Sequence, residues 1–259
     1  MQLQRRSVLT GLAAASLCPI CVSRGAAAEE AHGHEKHWTY EGDEGAAHWG
    51  ELKPEFQACS IGKEQSPINL AKPVHAKLSK LDIEWKDAPL TVTNNGHTIQ
   101  INMPAGSTVS EEGGEKYTLK QFHFHHPSEH LVDGKSYSME AHFVHLNDAG
   151  TAAIVLGVFI EAGAANAELT KIFAVMPKAA GEAKTELKID PKGLLPKGQD
   201  RYRYEGSLTT PPCSEIIHWN VFREKITASE AQIKAFADLF PMNARPALPL
   251  NRRFLLESF

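Results

Sequence analysis

The chain has 259 residues, 42% of them hydrophobic and 22% charged, with a formal net charge of −4. No charge block, internal repeat or Pro/Gly-rich linker divides it, so a single folded domain is expected. The mildly acidic balance argues against nucleic acid as a partner.

In chain order, Arg5-Arg6 precedes an apolar run from Val8 to Val22 and then Ala26-Ala27-Ala28. A positive start, an apolar middle and an Ala-x-Ala site predict an export signal over residues 1–28, cleaved to leave 29–259 as the mature chain. The paired arginines resemble the twin-arginine type, which makes a periplasmic or secreted protein the expectation. The run is shorter than the ~20 residues that span a bilayer, so no stable membrane anchor is expected after cleavage. Removing Arg5, Arg6 and Arg24 with the signal leaves 24 basic against 31 acidic residues, a net −7. Cys18 and Cys21 would leave too. Cys59 and Cys213 remain in a chain bound for an oxidising compartment, and a disulfide is expected, with two buried free thiols as the alternative. The His32-Gly33-His34 tract reads as a solvated tail.

The mature chain reads as mainly β: one large, mostly antiparallel twisted central sheet with a few short peripheral helices. Leu90–Thr93 leads into the Asn94-Asn95-Gly96 turn signal, and Thr98–Met103 alternates apolar and polar residues. Tyr117–His125 and Tyr137–Leu146 alternate as well. Ala152–Ile160 is the continuous apolar run of a strand buried on both faces, and Ile216–Phe222 is a further strand. Helices are expected over Ala165–Val175 and Thr227–Leu239, the latter with Thr227-x-x-Glu230 as a capping box. Residues 177–212 read as loop.

The chemistry concentrates in Gln121-Phe122-His123-Phe124-His125. On a strand, Gln121, His123 and His125 share one face, while Phe122 and Phe124 point to the other. Glu140, His142 and Val144 repeat this on the next strand. Asp133-Gly134 is a two-residue hairpin turn. Pairing outward from Val132 with Lys135 sets His125 opposite His142, unless the interruption at His126-Pro127 shifts the register. Three imidazoles on rigid strands suit Zn2+ and leave a fourth position open, the mark of a catalytic site. Gln121 and Glu140 lie two residues from a ligand on the same face, where each can hold a ligand's second ring nitrogen.

These segments resemble the α-class carbonic anhydrases, in the exported bacterial type. Gln121–His125, Ser128-Glu129-His130, Glu140-x-His142 and Ser207–Cys213 fit that family. So do Gln65-Ser66-Pro67-Ile68-Asn69, Asn95-Gly96-His97, Trp38-x-Tyr40 and Asn243-x-Arg245, in the family's order over residues 37–259. The resemblance implies that His123, His125 and His142 bind zinc, and that water activated there attacks carbon dioxide to give bicarbonate and a proton. It implies that Thr209 donates a hydrogen bond to Glu129 while accepting one from the nucleophile. Thr210 would line the same side. Val144, Val155, Leu208 and Trp219 would form the apolar wall for carbon dioxide, and Tyr40 and Asn243 would support the site. His97 takes the place of the family's proton-shuttle histidine. Cysteines pair at the positions of Cys59 and Cys213, and the bond before Pro212 is cis. A homodimer is compatible, since many bacterial relatives are dimers.

The chain departs from the pattern in three places. Thr39 replaces a usual Gly, the segment from His125 to Glu129 is short, and His126 replaces an aromatic residue. The rival functions are another zinc hydrolase such as an esterase, a non-catalytic zinc-binding module on the same scaffold, and a zinc-storage protein suggested by thirteen histidines.

Overall fold

The computed structural model describes residues 37–259. The signal expected over 1–28, Cys18, Cys21 and the His32-Gly33-His34 tract lie outside the described residues. The strands that build the site are β1 (Ala88–Asn94), β2 (Ile99–Asn102), β3 (Tyr117–His125), β4 (Met139–Leu146), β5 (Ala153–Ala162), β6 (Gly181–Ile189), β7 (Arg201–Gly206) and β8 (Ile217–Phe222). They run in the order β6-β1-β2-β3-β4-β5-β8-β7 within a 13-stranded sheet, which Leu256–Glu257 and Val74–His75 continue. The pairs from β6 to β5 are antiparallel, as is β8 with β7. β5 and β8 run parallel, so the sheet is mixed.

Alternation along the strands divides the apolar residues between two cores. Phe122, Phe124, Phe143, Ile154 and Leu156 pack on one face with Leu169, Ile172 and Phe236. Those last three come from the helices α1 (Ala167–Val175) and α2 (Glu230–Ala237), which cover that face. Val144, Val155, Tyr204 and Trp219 pack on the other face with Ile68. β5 lies between neighbours and both layers, and its first eight residues are buried. That is the environment its unbroken apolar run requires.

Three expectations need correction. The capping box of α2 is formed by Ser229 and Gln232, whose side chains bond each other's backbone N–H. Thr227 instead belongs to a short strand, Ile226–Ala228, that pairs in parallel with β5. Residues 177–212 are not all loop, since they contain β6 and β7. β6 is an edge strand with mostly exposed residues, so it lacks the apolar alternation that marks a half-buried strand.

The third correction is the register of β3 on β4. His123 lies opposite His142, and His125 lies opposite Glu140. The Asp133-Gly134 turn does form: both residues have positive φ, and Val132 and Lys135 exchange both backbone hydrogen bonds. The ladder does not continue outward from it. Leu131–Val132 pairs in parallel with Asn69–Leu70, and the cis His126-Pro127 bond lies in the stretch that leaves β3. Two more residues are therefore spent on the β3 side than on the β4 side. A slip of two preserves every side chain's face.

Candidate active site

β3 and β4 carry three imidazoles on one face. The ring centroids of His123 and His125 are 5.0 Å apart, those of His123 and His142 5.4 Å, and those of His125 and His142 4.6 Å. One nitrogen from each ring can be chosen so that all three lie within 4.8 Å of one another. The opposite phenylalanines, Phe122 and Phe124, are fully buried and anchor the strand from behind.

Each ring is held through its other nitrogen. His123 Nδ1 lies 2.8 Å from Gln121 Oε1, His125 Nδ1 lies 2.7 Å from the Asn243 carbonyl, and His142 Nε2 lies 3.0 Å from Glu140 Oε1. This leaves His123 Nε2, His125 Nε2 and His142 Nδ1 facing a common point. His125 Nε2 is buried and has no hydrogen-bond partner among the described residues. A buried polar atom without a partner is costly, and a cation accepting its lone pair resolves that cost. Three imidazole nitrogens with orienting partners fit a zinc ion.

A second cluster, His130, Glu140 and His142, also lies within ligand distance. Its atoms are already committed. Glu140 Oε1 accepts from both His130 Nδ1, at 2.7 Å, and His142 Nε2, while Oε2 accepts the backbone N–H groups of Glu129 and His130. His130 Nε2 lies 2.7 Å from Tyr204 Oη. The cluster is a hydrogen-bonded support for His142. Burial pushes the Glu140 carboxyl up, but the adjoining His130 and His142 outweigh it and hold it well below the usual carboxylate range. Burial lowers His123 and His125, and neighbouring imidazoles add to this, whereas Glu140 raises His142 against its burial.

Glu129 is buried beside the rings. Its Oε1 accepts from the Arg245 backbone N–H at 2.8 Å. Its Oε2 has no hydrogen-bond partner among the described residues and lies 3.5 Å from His125 Nε2 and 3.8 Å from His142 Nδ1. Thr209 is buried and Thr210 half-buried, but the hydrogen bond from Thr209 to Glu129 is not formed in this structure. Tyr40 is half-buried, and burial together with the Glu129 charge raises its hydroxyl well above the ordinary tyrosine value.

The residues expected to form an apolar wall are contiguous. Val144, Val155 and Trp219 are direct cross-strand neighbours on β4, β5 and β8, and Leu208 packs against the same cluster. The Trp219 ring centroid is 4.8 Å from that of His142, and its Nε1 donates to the Ser207 carbonyl at 3.1 Å. Gly157 pairs with His142, and a Cβ there would come within 3.0 Å of Glu140 Oε1.

His97 sits in the turn between β1 and β2, where Asn95 Oδ1 accepts from the N–H groups of His97 and Thr98. Its ring stacks on Trp38 at 3.6 Å and on His37 at 4.8 Å. Burial, with a smaller contribution from His37, lowers it to about 4. A cleft of about 310 Å³ beside it is lined by Trp38, Tyr40, His97, Phe240 and Asn243, among others. Asn243 bonds this turn to the site: its Nδ2 donates to the carbonyls of His97 and Phe124, and its Oδ1 accepts from the His126 N–H. A larger cleft, about 660 Å³ and lined by Arg203, Arg253 and Phe254 among others, has no histidine among its described lining residues. Cys59 and Cys213 form a disulfide, and the Pro211-Pro212 bond is cis.

Sequence reasoning assigned no role to His130, Tyr204, Ser66 or Arg245. Their roles come from contacts between distant segments. For His130, Ser66 and Arg245 the available signal was membership in the motifs that carry the family resemblance, whereas Tyr204 lies in none of those motifs.

Residues 44–259 match the family described as eukaryotic-type carbonic anhydrase. A carbonic anhydrase of Neisseria gonorrhoeae is 45% identical over 228 residues, covering 88% of this chain and 90% of the relative. One from a Nostoc strain is 44% identical, covering 85% and 86%. The α-carbonic anhydrase of Thermovibrio ammonificans, solved with the inhibitor sulfanilamide, superposes with a TM-score of 0.82 at 47% identity, covering 85% of this chain and 98% of that one. A hyperthermostable carbonic anhydrase from a hydrothermal vent chimney gives 0.82 at 44% identity, covering 86% and 100%. With a matching family, bacterial relatives and the same sheet, the chain belongs to the α-class carbonic anhydrases.

Proposed function

We propose that the chain catalyses the reversible hydration of carbon dioxide to bicarbonate and a proton, with zinc held by His123 Nε2, His125 Nε2 and His142 Nδ1. The observation that carries this reading is the division of labour within each ring. One nitrogen is tied to Gln121, Asn243 or Glu140, and the other is turned to a shared point. Zinc held there supplies Lewis acidity that makes water a nucleophile near neutral pH, an effect known for carbonic anhydrases as a class.

The protein's own groups do the positioning. Val144, Val155, Leu208 and Trp219 offer an apolar surface to a linear, uncharged substrate, where a charged wall would hold water instead. Thr209 accepts a hydrogen bond from the nucleophile and donates to Glu129 Oε2, the carboxylate oxygen that has no partner among the described residues. That arrangement requires Glu129 ionised, and it aims a lone pair at the substrate carbon. Thr210 borders the same space. His97 carries the released proton outward after leaving its stack on Trp38, because a group with a pKa near the working pH is the efficient relay.

Export belongs to the same proposal: residues 1–28 are removed and 29–259 act outside the cytoplasm, singly or as a homodimer. The disulfide supports an oxidising compartment. Among the described residues, no helix is long and apolar enough to cross a membrane. Stopped-flow hydration assays, with and without a zinc chelator, test the activity. Chelator-sensitive hydration with one zinc per chain is expected, and full hydration by metal-free protein would refute the reading. Mass measurement of exported material should place the new N-terminus at Glu29.

A further inference from the structure

Gln65 and Ser66 open the Gln65-Ser66-Pro67-Ile68-Asn69 motif, hydrogen-bond to other partners than the three histidines, and are buried at 5% and 0% exposure. Their hydrogen bonds converge on one loop. Gln65 Nε2 donates to the Cys213 carbonyl at 3.0 Å and to Glu215 Oε1 at 2.9 Å. The Ser66 N–H donates to Ser207 Oγ at 2.9 Å, and Ser66 Oγ accepts the Ser207 N–H at 3.0 Å. Two consecutive residues thus hold both ends of Ser207–Cys213, the segment that carries Thr209 and Thr210. The approach at Gly206 is so close that a Cβ there would overlap Ser66 Oγ.

The same pair is tied to the support of Glu129. Arg245 Nη1 donates to Gln65 Oε1 at 2.9 Å and to the Ser66 carbonyl at 2.8 Å, and Nη2 donates to the Cys59 carbonyl at 3.0 Å. The backbone N–H of this arginine is the donor to Glu129 Oε1. Ser66 Oγ also lies 3.0 Å from Tyr204 Oη, which contacts His130 behind Glu140. The threonine loop, the glutamate and the support of His142 are therefore all referenced to one two-residue junction.

We propose that Gln65 and Ser66 are positioning residues that set the Thr209 loop against Glu129, so that hydroxyl and carboxylate come within reach of each other during turnover. This rests on the roles proposed above for Thr209 and Glu129. A loop held at both ends by buried bonds loses few alternatives on reaching the reactive arrangement, whereas a misplacement of ~1 Å can cost ~100-fold in rate.

Gln65→Met removes every side-chain bond at similar volume. Gln65→Glu retains an acceptor for Arg245, loses the donor to Cys213 and faces Glu215. The second variant carries the test if the first does not fold. Two readouts are needed: hydrogen exchange of the Leu208 and Cys213 amides in metal-free protein, and kcat/KM for hydration in zinc-loaded protein. Exchange in the loop should accelerate about tenfold with amides of β4 and β5 unchanged. kcat/KM should fall about tenfold, with buffer-limited kcat changing less than threefold and zinc content held at one per chain. The proposal is overturned if either readout stays at the wild-type value, or if β4 and β5 amides accelerate as much as the loop, which would make the junction merely structural. An inactive wild-type protein would instead refute the proposed function, and the exchange measurement would still judge the clamp.

Discussion

His142 Nε2 lies 3.0 Å from Glu140 Oε1, and that contact decides which nitrogen of His142 turns toward His123 and His125. Glu140 is itself fixed by His130 and by two backbone N–H groups, so the orientation of one ring depends on a network three residues deep. Removing the carboxylate frees the ring to rotate and lowers its basicity. Glu140→Gln should weaken zinc binding about 10- to 100-fold, read by competition with a chromogenic chelator. An affinity equal to wild type would show that the ring is held by packing alone.

His97 offers a test of proton export. In its stack on Trp38 it is lowered to about 4, too acidic to hold a proton near pH 7. Relay through His97 thus requires the ring to leave the stack and regain an ordinary histidine value. His97→Ala should lower kcat at low buffer while sparing kcat/KM, and added imidazole should restore much of the loss. Wild-type kcat in the variant would remove His97 from the pathway.

His145 makes the fold acid-sensitive. It is fully buried, its Nε2 accepts from Trp85 Nε1 at 3.1 Å, and its Nδ1 donates to the Ile154 carbonyl at 3.1 Å. Burial pushes it down to about 3, against an ordinary 6.5. Between those values the unfolded chain binds a proton that the folded chain does not. Its contribution to stability is therefore intact above pH 6.5 and is lost as the pH falls toward 3. The slope from this one group approaches ~1.4 kcal/mol per pH unit. Urea titrations at pH 7, 6 and 5 should show a shallower loss for His145→Gln than for wild type. Parallel curves would refute the assignment.

The Cys59–Cys213 disulfide spans 154 residues and ends the loop that carries Thr209. Chain entropy alone assigns such a closure about 5 kcal/mol, an upper figure. Reduction should lower the urea midpoint and speed exchange of the Cys213 amide before the sheet is affected. An unchanged midpoint would mean that the packing around Cys213 suffices.

Strand alternation by itself determined that Gln121, His123 and His125 share a face, that Glu140, His142 and Val144 share another, and that Phe122 and Phe124 point into the opposite core. Those assignments needed only the period of two, a local property of extended backbone. The motifs supplied the family through its spacing. Tertiary structure alone decided that His123, not His125, lies opposite His142, because Leu131–Val132 takes a partner at Asn69–Leu70 that no local pattern announces. It also decided that β6, polar and exposed, is a strand, since its pairing with β1 is the evidence for it. The bonds from Gln65 and Ser66 to Ser207 and Cys213 join segments more than 140 residues apart in the chain. Such bonds follow from where the folded backbone brings carbonyl and N–H groups together, and side-chain identity along one strand does not contain that information.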